Sequence, residues 1–86
     1  ERIDHLAGLL RGLPQTTSVV SAIELAGHLA RAVDAFHMEA IRFRIYTLDR
    51  LFASGTLDAP AEAHETLGDI KRALEAAGFH TRSVAH

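Results

Sequence analysis

Apolar residues recur every three or four positions along most of this chain, which is the spacing of α-helices that bury one face. No stretch shows the period of two that is typical of a half-buried strand. The first apolar stripe predicts a helix over about residues 2–11. Gly12 and Pro14 end this helix, because glycine suits the position after a helix and proline disfavours the α conformation of the residue before it. The stripe consists of Ile3, Leu6, Leu10 and Leu13.

The second apolar pattern is much longer and predicts one continuous helix over about residues 18–53. Thr17 or Ser18 is a suitable N-cap for it, because a hydroxyl oxygen can accept a hydrogen bond from a backbone N–H of the first turn. Gly27 lies inside the pattern, but a glycine costs only about 1 kcal/mol relative to alanine and does not break a helix by itself. Gly55 is the first strong stop. Such a helix is about 50 Å long.

A third apolar stripe predicts a helix over about residues 59–77, with Asp58 as its N-cap and Gly78 as its stop. We expect one helical domain over residues 1–79 and a loose C-terminal tail over residues 80–86. The members of the stripe are Ala63, Leu67, Ile70, Leu74 and Ala77.

The fold class predicted from these elements is all-α, with a short, a long and a medium helix. The connections are short, so the outer helices should run antiparallel to the two halves of the long one. The apolar arc of the long helix covers more than half of its circumference, which is more than one short neighbour at each end can cover. Burying a Leu, Ile or Phe side chain contributes about 1.5–3 kcal/mol. We therefore expect a homodimeric, antiparallel helical bundle with the long helix at its centre. Its expected interface residues are Val33, Phe36, His37, Ala40, Ile41, Arg44 and Leu48.

Two polar residues, His37 and Arg44, lie on this apolar arc, two helical turns apart. Asp34 precedes His37 by three residues and is its expected partner. Arg44 has no acid three or four residues away, and an unpaired buried charge costs several kcal/mol. An antiparallel crossing near Ala40 brings Asp34 and His37 of a second copy within reach of Arg44, whereas the acids of the third helix are partners within one chain. The simpler alternative is a structural histidine, and an arginine stem that lies over apolar surface while its head group reaches water.

Charge and composition narrow the function classes. The 86 residues carry a formal net charge of −2 and contain no cysteine, so disulfides and cysteine-based zinc sites are excluded. There is no basic excess of the kind that nucleic-acid binders show. No apolar run approaches the roughly 20 residues of a membrane span. We expect a cytoplasmic protein that binds neither nucleic acid nor membrane. The chain begins with Glu1, which leaves open that it is part of a longer protein.

Six histidines in so short a chain raise the question of a metal site. Only Asp34 and His37 have a spacing close to the Glu-x-x-His of carboxylate-bridged bundles, and surface ion pairs explain the other acid–histidine pairs. We predict no cofactor. Neither a phosphate-binding glycine loop nor a nucleophile elbow is present, so we expect no enzyme. The predicted function is an assembly or regulatory module that dimerises or docks a protein partner. The alternative is a small-ligand or metal-binding bundle with a polar site around Asp34, His37 and Arg44.

Overall fold

The computed structural model of the chain describes residues 2–78, and its regular structure there is entirely helical. The all-α prediction is therefore confirmed. The prediction of three helices is wrong, because the segment expected as one helix over residues 18–53 forms two. The tail expected over residues 80–86 lies outside the described residues. The four helices are α1 (Arg2–Arg11), α2 (Thr17–Asp34), α3 (Met38–Ala53) and α4 (Ala61–Ala76).

The helix starts differ slightly from those expected. Thr16, rather than Thr17 or Ser18, is the N-cap of α2, and its Oγ1 accepts a hydrogen bond from the backbone N–H of Val19 at 3.2 Å. Pro60, rather than Asp58, precedes α4, and no side-chain hydrogen bond caps this helix. Proline is tolerated there because the first N–H groups of a helix have no partner within it.

The turn between α2 and α3 is the main departure from the predicted fold. The N–H of Phe36 donates to the carbonyl of Val33, and the N–H of His37 donates to the carbonyl of Ala32, both at 3.1 Å. These two bonds are those of a Schellman motif, in which glycine usually occupies the left-handed position. Here Phe36 occupies it, with φ 51°, at a cost of roughly 1–2 kcal/mol.

Each helix packs on the helix before and after it, and α4 closes the ring by packing on α1. The contact between α3 and α4 is the slightest of the four. Folding α3 back on α2 lets the broad apolar arc of this segment cover much of itself, which is the physical reason for the break. The fully buried larger side chains are Leu6, Leu10, Leu29, Ile41, Ile45 and Leu48.

Two side-chain pairs connect α3 to α4. The Lys71 ammonium lies 3.1 Å from a carboxylate oxygen of Asp49, and both side chains are mostly buried. The rings of Phe52 and His64 pack edge to face with their centroids 5.2 Å apart. Leu57, in the loop between the two helices, is buried as well. The loop and these two pairs thus supplement the limited helix–helix packing.

Candidate functional site

His37 has a structural role at the start of α3. Its Nδ1 accepts a hydrogen bond from the backbone N–H of Ala40 at 3.2 Å, so the imidazole is the N-cap of this helix. The expected pair with Asp34 does not form, because the helix ends between the two residues and their three-residue spacing no longer places them on one face. The structural alternative for His37 is therefore the one that the geometry supports.

Arg44 lies at the edge of the buried face of α3 and is half-buried. Its guanidinium carbon is 5.2 Å from the centroid of the neighbouring Phe43 ring, within the range of a cation–π contact. Within residues 2–78, no carboxylate forms an ion pair with it. The aromatic face and solvent take the place of the acidic partner that the sequence led us to expect.

The acids of α4 do not pair with Arg44. The ion pair between α3 and α4 has the opposite polarity, since the acid, Asp49, lies on α3 and the base, Lys71, on α4. Spacing within one helix could not predict this pair, because it joins two helices across their packing.

The seven residues predicted for an interface do not share one exposed surface in the folded chain. Ile41 and Leu48 are completely buried. Val33 is half-buried and lines an apolar cleft between the start of α1 and the end of α4. Phe36 and His37 are exposed at the turn, while the remaining two, Ala40 and Arg44, are half-buried on α3.

The α2–α3 hairpin, formed by α2, α3 and the turn between them, carries the exposed large apolar side chains of the part of the chain that the structure describes. All the large hydrophobic side chains classed as exposed among residues 2–78 lie on α2, on α3 or in the turn between them: Val20, Phe36, Met38 and Phe43. Phe36 is 80% exposed and Phe43 58%. Of these four residues, only Phe36 is among the predicted interface residues. For Val20 and Met38, the apolar type of the residue does not indicate whether its position is buried or exposed.

Phe43 and Tyr46 form a ridge between two shallow clefts, and we call these two residues the α3 ridge. On one side the cleft runs between α2 and α3 and contains Leu25 and Leu51. On the other side the cleft contains Glu39 and Arg42, which form an ion pair at 3.5 Å. The ridge is thus apolar and has both signs of charge beside it.

The polar candidates do not converge on a ligand site. Among the described residues, no hydrogen bond or ion pair joins Asp34, His37 and Arg44 to one another. Over the same part of the chain, no three His, Asp or Glu side chains are arranged to hold a metal ion. None of the four helices has both the length and the apolar character of a membrane span.

Comparison of the chain with family models, with curated proteins and with solved structures finds no match.

Proposed function

We propose that this protein is a non-enzymatic helical assembly module that forms a homodimer through its α2–α3 hairpin. The observation that carries the proposal is the confinement of the exposed large apolar side chains of residues 2–78 to this hairpin. Scattered apolar residues on a surface are ordinary, whereas their concentration on one element is typical of an interaction surface.

The charges beside the α3 ridge favour a second copy as the partner. A two-fold symmetric interface brings the same surface of both copies together, so a surface of one sign of charge repels itself. The ridge has Glu39 and Arg42 beside it, and Arg50 lines the neighbouring cleft. Residues of both signs on one face allow each acid to approach a base of the other copy.

Burial of the α3 ridge should change the dissociation constant of the dimer by a measurable amount. Burying a Phe side chain contributes about 1.5–3 kcal/mol, and a symmetric dimer buries the 58% exposed Phe43 twice. A change of 1.4 kcal/mol alters an equilibrium constant tenfold. Removing this one aromatic residue should therefore weaken the dimer by about tenfold or more.

Sedimentation equilibrium tests the proposal. We expect the wild-type chain to dimerise and Phe43→Glu to raise its dissociation constant by about tenfold or more. Ala76→Glu is the matched control, because it adds the same charge at an exposed position of α4, outside the hairpin. A wild-type chain that stays monomeric at high protein concentration would contradict the proposal, as would a Phe43→Glu variant that dimerises as tightly as the control.

A further inference from the structure

The α2–α3 turn combines an unfavourable backbone conformation with a sequence that favours a helix. Phe36 has φ 51°, in the left-handed region that bulky residues rarely adopt, and its ring is 80% exposed. Between Gly27 and Gly55 the chain contains neither glycine nor proline. The turn therefore lacks the glycine or proline that usually forms a turn. The same segment is compatible with a continuous helix.

Few hydrogen bonds separate the turn from a straight helix. The bond from the N–H of Ala35 to the carbonyl of Arg31, at 3.1 Å, already has helical spacing. The bond from the N–H of Ile41 to the carbonyl of His37, at 2.9 Å, has it as well. Straightening rearranges only the bonds between these two points. In the straight helix Phe36 lies within about 20° of Leu29, on the face that α2 buries.

The packing of the helices shows which parts could exchange between two chains. Of the four contacts between helices, the α3–α4 contact is the slightest; α3 packs mainly on α2, and α4 packs mainly on α1. The α3–α4 unit therefore makes most of its helix contacts with the α1–α2 unit. A second copy offers the same α1–α2 surface, so exchange between copies remakes these contacts.

We propose that the homodimer forms by exchange of the α3–α4 unit, with residues 17–53 of each chain straightened into one helix. This inference rests on the proposed homodimer but gives it a different contact, the α1–α2 unit of a second copy in place of the α3 ridge. Phe43 stays exposed in the exchanged dimer, so Phe43→Glu weakens a dimer of closed chains and leaves an exchanged dimer unchanged. Exchange of an identical element is a low-cost route to a dimer, and a short strained hinge favours it. In this dimer Ile41 and Leu48 are buried between chains, and the left-handed conformation of Phe36 is relieved.

A distance within one chain distinguishes the exchanged dimer from the closed form, in which α3 packs on α2 of the same chain. Ser21 and Arg50 line the same cleft of the hairpin, so spin labels at these positions are close together in the closed form. In a straight helix the same positions are about 44 Å apart along the axis. The chain contains no cysteine, and Ser21→Cys with Arg50→Cys therefore supplies the only two labelling sites.

The labelled chain is refolded with an excess of unlabelled wild-type protein and measured by double electron–electron resonance under conditions where sedimentation shows a dimer. Most labelled dimers then contain a single labelled chain, so the measured distance joins two labels of one chain. We expect this distance to be about 44 Å. A dimer that shows only the short distance refutes the exchange and leaves the homodimer standing. A chain that sediments only as a monomer refutes both proposals.

A pair of variants at the hinge gives an independent readout. Phe36→Gly and Phe36→Ala remove the same ring, but only glycine adopts the left-handed conformation without cost and disfavours the continuous helix. We expect Phe36→Gly to dimerise at least about 1,000-fold more weakly than Phe36→Ala, because every exchanged dimer contains two hinges. Equal dissociation constants for the two variants would overturn the exchange, since the hinge conformation would then have no effect on assembly.

Discussion

The ion pair between α3 and α4 should contribute measurably to stability, because it is mostly buried and connects two helices that pack only slightly on each other. The Lys71 ammonium lies 3.1 Å from an Asp49 carboxylate oxygen, and the two side chains are only 21% and 16% exposed. Lys71 is the single lysine of the chain. Replacing it by methionine keeps an apolar stem of similar length and removes the charge, so Lys71→Met isolates the electrostatic contribution.

The size of the effect follows from this partial burial. At about 3 Å and an effective dielectric constant of about 20, two unit charges attract by about 5 kcal/mol, most of which is offset by their desolvation. Exposed pairs contribute about 0.2–1 kcal/mol, whereas breaking a fully buried pair costs about 3–5 kcal/mol. We expect Lys71→Met to cost about 1–3 kcal/mol. Each kcal/mol corresponds to a decrease in melting temperature of roughly 4–8 °C for a domain of this size.

Urea unfolding at one fixed protein concentration measures this cost, and the double-mutant cycle with Asp49→Asn gives the coupling energy of the pair. We expect a coupling of about 1–2 kcal/mol. Arg72→Met is the matched control, because its ion pair with Asp69 lies on the surface of α4 with side chains 71% and 52% exposed. That variant should cost less than about 0.5 kcal/mol. If Lys71→Met costs no more than Arg72→Met, the reasoning from burial is refuted.

Two further predictions concern the ends and the centre of the helices, and far-UV circular dichroism during urea unfolding measures both. Thr16→Ala should destabilise the fold by about 1 kcal/mol, since it removes the N-cap of α2; an equal loss in the adjacent exposed Thr17→Ala would contradict the capping role. Leu48→Ala should cost about 2–5 kcal/mol, because the side chain is fully buried, and the half-buried Leu51→Ala should cost clearly less.

The sequence predicted best those features that depend on local periodicity and on glycine. The bounds of α1 agree with the expected residues 2–11. Gly55 and Gly78 follow α3 and α4 with φ values of 81° and 97°, as helix-ending glycines do. Both features follow from steric preferences of single residues and from a repeat of three or four positions, and neither requires knowledge of the tertiary packing.

The α2–α3 break could not be predicted in this way. Ala35, Phe36 and His37 have no steric reason to leave the helix, and the turn exists because α3 then packs on α2. The Asp34–His37 pair is absent for the same reason, since it presupposed an unbroken helix. Arg44 was expected to be buried because the arc of a single long helix placed it there. Once the helix breaks, α3 buries a different sector and Arg44 lies at its edge.

The wide apolar arc that first suggested a dimer remains the most informative feature of the sequence. A helix that is apolar over more than half of its circumference must be covered on two sides, either by folding back on itself or by the same surface of a second copy. The closed chain uses the first arrangement and places Phe36 in a left-handed conformation with an exposed ring. The exchanged dimer that we propose would use the second arrangement and relieve the left-handed conformation, at the entropic cost of bringing two chains together. The equilibrium between the closed chain and the proposed exchanged dimer therefore depends on protein concentration and on residue 36. A glycine at this position would relieve the strain of the closed chain.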